Sequence, residues 1–265
     1  MIATISSAQE KKTFTLNDVI PGGDNYFNLV PKSMPGLQWW GDICVRTDIE
    51  NIKKIDTKSG KESILVTLEE VNEALKNGEM PYKLTGHIKP LRTLMAASLP
   101  WGDRNVITFT QYDDRTPGQK YMIWYDFSKK KIVNLFNLQG EGPTNFDFCK
   151  ENGYMAYTIG NDLYVAHERD FSSMVNPKVT GNQQQEKDVV YGQAVHRNEF
   201  GIMKGTFWSP KGTYLAFYRM DQSMVTDYPQ VNTTARIAEL VPDKYPMAGM
   251  TSHKVTVGIY NVKDG

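Results

Sequence analysis

The feature that most constrains the fold of this chain is a unit of sequence that occurs four times. Each unit places an aromatic residue before a turn, usually containing glycine, and an apolar strand follows the turn. A four-stranded unit of about 40 to 50 residues, repeated with insertions, is typical of a β-propeller blade. The four aromatic residues, with spacings of 61, 47 and 60 residues, are Trp40, Trp101, Phe148 and Trp208.

A second pattern follows the first in most units, namely an outer hairpin that ends in a polar turn. It occurs at residues 55–61, 125–131 and 260–265, with a shorter version near residues 162–166. Because both patterns recur in the same order, we predict an all-β chain of about four propeller blades over residues 15–265. An irregular β-sandwich with a similar number of strands is the alternative. The long spacings favour a larger wheel over a closed ring of four, so the chain is interpreted as part of a longer propeller.

Two helices interrupt the strand pattern. Residues 67–70 form a capping box, after which Val71, Ala74 and Leu75 share one face and Gly78 suits the position beyond the C-terminus. A shorter helix is predicted from Thr15 and stops at the Pro-Gly-Gly sequence of residues 21–23. Residues 1–14 are interpreted either as the remnant of a signal peptide or as a flexible N-terminus.

Composition excludes several classes of function. Thirty basic and thirty acidic residues give a formal net charge of zero, which argues against binding to duplex nucleic acid. No run approaches the roughly 18 to 20 apolar residues of a membrane span. Cys44 and Cys149 lie in apolar strand-like runs and are interpreted as buried free thiols, with a disulfide between them left open.

The chain carries no motif that assembles an active site by itself. It has no Gly-x-Ser-x-Gly nucleophile elbow, no Cys-x-x-Cys pair and no glycine-rich phosphate loop. The four histidines lack the spacing of a zinc site. We therefore predict no catalytic residue, no metal and no cofactor within this sequence.

Residues 189–202 form the segment best suited to bind a ligand. It lies between the predicted third and fourth blades, and it places His196, Arg197 and Glu199 among small and apolar residues. A carboxylate in such a setting can pair with a substrate ammonium group, and the contact strengthens when it is partly desolvated. The alternative is that Glu199 pairs with a nearby arginine.

Three stretches of the chain resemble one peptidase family. Residues 191–202, 204–212 and 215–225 are closely similar to prolyl tripeptidyl peptidases, which are secreted bacterial members of the dipeptidyl peptidase IV family of serine peptidases. Shorter matches, which extend the resemblance over essentially the whole chain, lie at residues 21–23, 36–39, 245–249 and 253–260.

The resemblance implies an eight-bladed propeller followed by an α/β-hydrolase domain with a Ser-His-Asp triad, and that second domain lies outside this sequence. It implies that Glu199 holds the free α-amino group of a peptide, so that cleavage follows a proline at a set distance from the N-terminus. Arg197 and Arg219 are weaker candidates for substrate contacts, and Arg219 could instead be a structural partner of Asp221 or Glu199. This sequence departs from the family at two points. Some relatives carry paired glutamates in this loop, whereas only Glu199 is evident here. Those relatives also use an arginine on the substrate backbone, but the pattern around Arg115 does not match theirs, so Arg115 is not assigned to that role.

The resemblance also implies an oligomer and a location. Residues 224–244 are too long for a blade turn, and in the family an arm at this place joins two subunits. We therefore expect a homodimeric, extracytoplasmic peptidase that removes Xaa-Xaa-Pro tripeptides from peptides with free N-termini. Release of Xaa-Pro dipeptides is one alternative, and a non-catalytic propeller that binds a protein or glycan is another.

Overall fold

The computed structural model describes residues 13–30, 33–77, 87–101, 104–138, 142–168, 179 and 187–264. The chain divides into two compact units, Met1–Pro35 and Gly36–Gly265. Among the described residues, none of the helices has both the length and the apolar character needed to cross a membrane.

The first unit contains two short helices, α1 (Leu16–Val19) and α2 (Tyr26–Leu29). The carboxylate of Asp18 accepts hydrogen bonds of 2.8 Å from both the N–H and the hydroxyl of Thr15, which confirms the predicted helix start. Asn25 donates to the same carboxylate at 3.0 Å, so that one buried acid connects α1 to the segment before α2. The sequence analysis did not predict α2, which is a single turn without a side-chain cap.

The second unit is built from antiparallel sheets in chain order. The first sheet contains β1 (Leu37–Trp40), β2 (Ile43–Thr47), β3 (Asn51–Ile55) and β4 (Glu62–Thr67), paired in that order. The second contains β5 (Val106–Tyr112), β6 (Lys120–Asp126) and β7 (Lys131–Asn137). The third contains β8 (Thr144–Phe148), β9 (Tyr154–Ile159) and β10 (Asp162–His167).

The fourth sheet carries a long excursion. It contains β11 (Val189–Tyr191), β12 (Thr206–Trp208), β13 (Tyr214–Asp221) and β18 (Lys254–Asn261). Between β13 and β18 the chain forms a two-part ribbon, in which β14 (Asp227–Tyr228) pairs with β17 (Asp243–Lys244) and β15 (Val231–Asn232) pairs with β16 (Glu239–Leu240). This ribbon lies within residues 224–244, the segment for which the sequence analysis predicts an arm, and the segment is called the arm below.

Buried side chains show that the sheets are stacked one on the next. Along β6, Tyr121, Ile123 and Tyr125 lie in a core shared with the first sheet, whereas Met122 and Trp124 lie in a core shared with the third. A third core joins the third sheet to the fourth. A sandwich would place one core between two sheets. Successive cores between successive sheets are the arrangement of propeller blades, and they confirm the predicted fold class.

The recurring aromatic residues connect neighbouring sheets. The indole N–H of Trp40 donates to the backbone oxygen of Trp101 at 2.7 Å, and that of Trp208 donates to the backbone oxygen of Asp147 at 3.0 Å. The rings of Trp101 and Phe148 meet edge to face with centroids 5.8 Å apart. The repeat visible in the sequence is therefore a repeat of contacts between blades.

The remaining local predictions can also be compared with the structure. Helix α3 (Leu68–Asn77) starts as predicted, because the hydroxyl of Thr67 accepts from the N–H of Glu70 at 3.2 Å. Its predicted apolar face is buried, whereas Gly78 lies outside the described residues. Cys44 and Cys149 are buried free thiols, as predicted, and the alternative of a disulfide between them is wrong.

Candidate functional site

The segment singled out in the sequence is an insertion within a strand. Both β11 and β12 pair with β13, and their pairings end at Arg219 and at Phe217, so that only Tyr218 separates them. The backbone of Tyr218 accepts from the N–H of Gly192 and donates to the oxygen of Gly205, each at 2.9 Å. Residues 192–205, called here the insertion loop, therefore leave and rejoin the ladder at one position. The sequence analysis placed this segment between the third and fourth blades, whereas the structure places the loop inside the fourth sheet, between β11 and β12.

Two glycines make this narrow junction possible. A Cβ atom on Gly205 would lie 2.1 Å from the backbone oxygen of Gln193, closer than any side chain tolerates. Gly192 has a φ of +68°, and a Cβ there would lie 2.7 Å from Leu163. The sequence analysis did not single out either glycine. Their position at the two ends of the unusual segment was the only available signal.

Side chains fasten both ends of the insertion loop to the third sheet. The carboxylate of Asp147 accepts from the ammonium of Lys204 at 3.1 Å and from the hydroxyl of Thr206 at 2.8 Å. At the other end, the amide of Gln193 donates to the backbone oxygen of Gly160 at 2.8 Å. The loop is therefore held by a rigid scaffold, which is the usual setting of binding residues.

The outer part of the loop is a 3-10 helix, His196–Gly201. Three of its residues that are not glycine have positive φ angles, namely 51° at His196, 62° at Asn198 and 57° at Phe200. Such backbone conformations are unfavourable for these residues and concentrate at functional sites. Phe200 is 84% exposed, so burial of this residue does not explain the conformation.

The predicted site residues lie on or next to this loop. Arg197 and Glu199 belong to the 3-10 helix, but their side chains lie outside the described part of the chain. Arg219 lies on β13 opposite Tyr191, which directly precedes the loop, and its guanidinium is 5.9 Å from the centroid of that ring. Arg115, left unassigned from the sequence, is exposed in the turn between β5 and β6.

Arg219 also has an electrostatic neighbour on its own strand. The pKa of Asp221 is lowered, first by the N–H and hydroxyl of Ser223 and then, after the opposing effect of desolvation, by the positive charge of Arg219. A structural role for Arg219 beside Asp221 is therefore consistent with the geometry, and a contact with substrate stays a prediction.

A cavity of about 390 Å³ lies between the insertion loop and the base of the arm. Gln193 and His196 line it from the loop, Tyr245 from the residue after the arm, and His253 from the residue before β18. The imidazole rings of His196 and His253 have centroids 4.6 Å apart. Neither the cavity nor this pair was predicted, because the two histidines lie 57 residues apart in the chain.

The stacked sheets and the interrupted fourth sheet define the chain as part of a β-propeller. The family model described as the dipeptidyl peptidase IV (DPP IV) N-terminal region matches residues 102–265. The chain therefore belongs to this family, and it is a domain associated with peptidases.

Solved structures and curated proteins agree with this assignment. A structure from Bacteroides ovatus ATCC 8483, assigned as a dipeptidyl aminopeptidase IV, is 42% identical, with a TM-score of 0.66 over 96% of this chain and 32% of its own. Dipeptidyl peptidase 4 of Porphyromonas gingivalis shares the fold, with 20% identity, a TM-score of 0.56 and coverage of 96% and 34% of the two chains. A protein of Phaeosphaeria nodorum assigned as dipeptidyl-aminopeptidase B is 29% identical over 44% of this chain and 14% of its own.

The chain thus spans about a third of these two solved structures, with 32% and 34% of their lengths covered. It spans 14% of the Phaeosphaeria nodorum protein.

Proposed function

We propose that this chain is the N-terminal part of the propeller of a proline-specific serine exopeptidase. In this proposal the insertion loop holds the free α-amino group of a peptide through Glu199, and the full-length enzyme releases Xaa-Xaa-Pro tripeptides. The observation that carries the proposal is the loop itself, which is fastened at both ends and presents the strained 3-10 helix that contains Glu199.

The proposed contact is a charge-assisted hydrogen bond between a carboxylate and an ammonium group. Fixing the N-terminus of the peptide sets how far its chain reaches, and so sets which bond meets the nucleophile. This converts part of the binding free energy into positioning. The chemical step belongs to a serine nucleophile in the hydrolase domain of the full-length protein, since this sequence contains no nucleophile elbow.

Release of Xaa-Pro dipeptides is the second candidate. It is favoured by the names of the relatives, since the Bacteroides ovatus and Phaeosphaeria nodorum proteins are both assigned as dipeptidyl aminopeptidases. The two candidates differ only in the distance between the amine anchor and the nucleophile. A pair of chromogenic substrates that differ by one residue therefore separates them.

The test uses the full-length protein with Glu199→Gln, which keeps the size of the side chain and removes its charge. We expect kcat/KM for a free-amino tripeptidyl-Pro substrate to fall about 100-fold or more, because a buried ammonium loses its charged partner. The matched control is Glu69→Gln, at an exposed position in the first turn of α3, far along the chain from the loop. Unchanged kinetics in Glu199→Gln would refute the amine anchor, and no cleavage of any proline peptide by the wild type would favour a binding module.

The arm supports a proposal about assembly. It is a narrow ribbon that exposes apolar side chains, among them Ile237 at 80% and Leu240 at 66%. We propose that the full-length protein is an extracytoplasmic homodimer joined partly through this arm. Replacing residues 226–243 with a short glycine linker is expected to lower the mass measured by light scattering, and an unchanged dimer would contradict the proposal.

A further inference from the structure

The cavity between the insertion loop and the base of the arm has the size of a ligand subsite. At about 390 Å³ it falls within the range of small-molecule pockets. Its walls come from the insertion loop, from β11 and β13 with the residue that follows β13, from the end of the arm and the residue before β18, and from the turn between β9 and β10, which contributes Asn161. These walls belong to the end of the fourth sheet where both the loop and the arm emerge.

Side chains that form hydrogen bonds dominate the lining. Amide groups come from Asn161, Gln193 and Gln222, and imidazoles come from His196 and His253. The Nε2 atom of His253 is buried and has no hydrogen-bond partner among the residues that the structure describes. An unsatisfied buried polar atom destabilises the protein, because it has lost its hydrogen bonds to water and gained none in return. A ligand that supplies the missing partner would recover that free energy.

The charged side chains on the cavity wall are of opposite sign. Burial, and then the neighbouring His196, lower the pKa of the His253 imidazole, which keeps the ring uncharged. Asp243 and Lys244 bring opposite charges to the wall, and the Lys244 ammonium lies 3.0 Å from Asp227 on the arm. A cavity lined mainly by neutral hydrogen-bonding groups, with charges of opposite sign on its wall, suits an uncharged polar ligand better than an ion.

We propose that this cavity is the subsite for the side chain of the substrate's first residue, and that it selects uncharged hydrogen-bonding side chains such as those of glutamine and asparagine. The inference rests on the proposed anchoring of the amine by Glu199. His196, on the cavity wall, precedes Glu199 by three residues in one 3-10 helix. The loop that is proposed to hold the amine therefore also forms one wall of the cavity.

Apolar side chains of the same shape provide the comparison. Methionine resembles glutamine in length and leucine resembles asparagine in branching, but neither can satisfy Nε2 of His253. A site built to hydrogen-bond a ligand discriminates against an analogue that leaves its buried groups unpaired. The selectivity for glutamine over methionine at the first residue is the quantity that reports on the cavity.

The experiment measures kcat/KM of the full-length protein for chromogenic peptides that differ only in the first residue, at whichever peptide length the enzyme cleaves. Wild type is expected to prefer glutamine over methionine, and asparagine over leucine, by about tenfold. The His253→Phe variant keeps a ring and removes both nitrogens, and its preference is expected to fall to about twofold or less because the polar substrates lose rate. The matched control is His167→Phe on β10, which keeps the edge-to-face contact with Tyr154 and should keep the preference.

A binding measurement provides a second readout. The affinity of the released product with glutamine or methionine at its first position, measured by calorimetry, is expected to follow the same preference, and circular dichroism confirms that each variant folds. An unchanged glutamine-to-methionine ratio in folded His253→Phe would overturn the subsite, even where Glu199→Gln abolishes cleavage. If Glu199→Gln cleaves normally while His253→Phe loses the preference, the amine anchor fails and the subsite stands.

Discussion

Replacing Gly205 with alanine would place a methyl group at the junction where the insertion loop leaves its strand. The added Cβ would lie 2.1 Å from the backbone oxygen of Gln193, whereas ordinary contacts begin at 3.4 Å. The two ends of the loop would therefore have to move apart by about 1 Å, because the opposing atom belongs to the backbone and cannot rotate away. Such overpacking destabilises a protein by about 1–3 kcal/mol.

The larger effect is expected on substrate binding. A displacement of about 1 Å at a positioning group can lower the rate by about 100-fold. In the full-length protein we expect Gly205→Ala to lower kcat/KM for free-amino peptides by about 10- to 100-fold, and to raise amide hydrogen exchange across residues 193–204. The assay combines steady-state kinetics with exchange measured by mass spectrometry.

The control is Gly118→Ala, in the turn between β5 and β6. Gly118 has a φ of +80°, and a methyl group added there would have no neighbouring atom within 4 Å, so that this substitution introduces backbone strain without a clash at the loop. We expect it to lower the melting temperature while leaving KM unchanged. Normal peptide binding by Gly205→Ala, or an equal rise in KM for both variants, would refute the positioning role of this junction.

Three further predictions concern stability and association. Trp40→Phe removes the indole donor to Trp101 and is expected to lower the free energy of unfolding by about 2 kcal/mol in urea titrations, whereas exposed Trp39→Phe should change little. Because the pKa of His253 is lowered in the folded protein, the unfolded chain binds a proton more readily, and the protein is expected to lose stability as the pH falls below 6.5. Thermal melts of His253→Asn should therefore show a smaller fall in melting temperature between pH 7 and 5 than those of the wild type, and an equal fall would contradict this. Among the described residues β18 pairs with β13 alone, and its Val257 and Ile259 are 62% and 65% exposed. Changing both to threonine should reduce self-association of the 265-residue chain in sedimentation experiments, and an unchanged mass would count against an apolar contact through this face.

The sequence predicted the parts of the fold that depend on local patterns. The aromatic–turn–strand unit recurs at short range, and it led to four sheets whose marker residues Trp40 and Trp208 make the same kind of contact to a neighbour. Helix α3 was equally accessible, because a cap and an apolar face occupy adjacent residues. These features can be predicted from the sequence, since the residues that cause them are close along the chain.

The geometry of the candidate site was harder to predict. Strand β11 has only three residues, which is too short to reveal that it continues in β12 beyond an insertion. The need for glycine at position 205 follows from a backbone atom on the other side of the loop. Likewise, His196 and His253 meet only because the arm returns to the sheet that it left. No local sequence pattern indicates a contact between residues as far apart in the chain as these two histidines.

The alternation of side chains along β6 has a consequence for how the second unit loses its structure. Because the cores lie between consecutive sheets, each sheet is coupled directly to its neighbours alone, as in a one-dimensional array of repeats. The second sheet shares cores with the first and the third, and the third sheet shares cores with the second and the fourth, so that opening either of these sheets disturbs two cores. A substitution in one core is therefore expected to loosen first the two sheets that form it, and to reach the other sheets only through them.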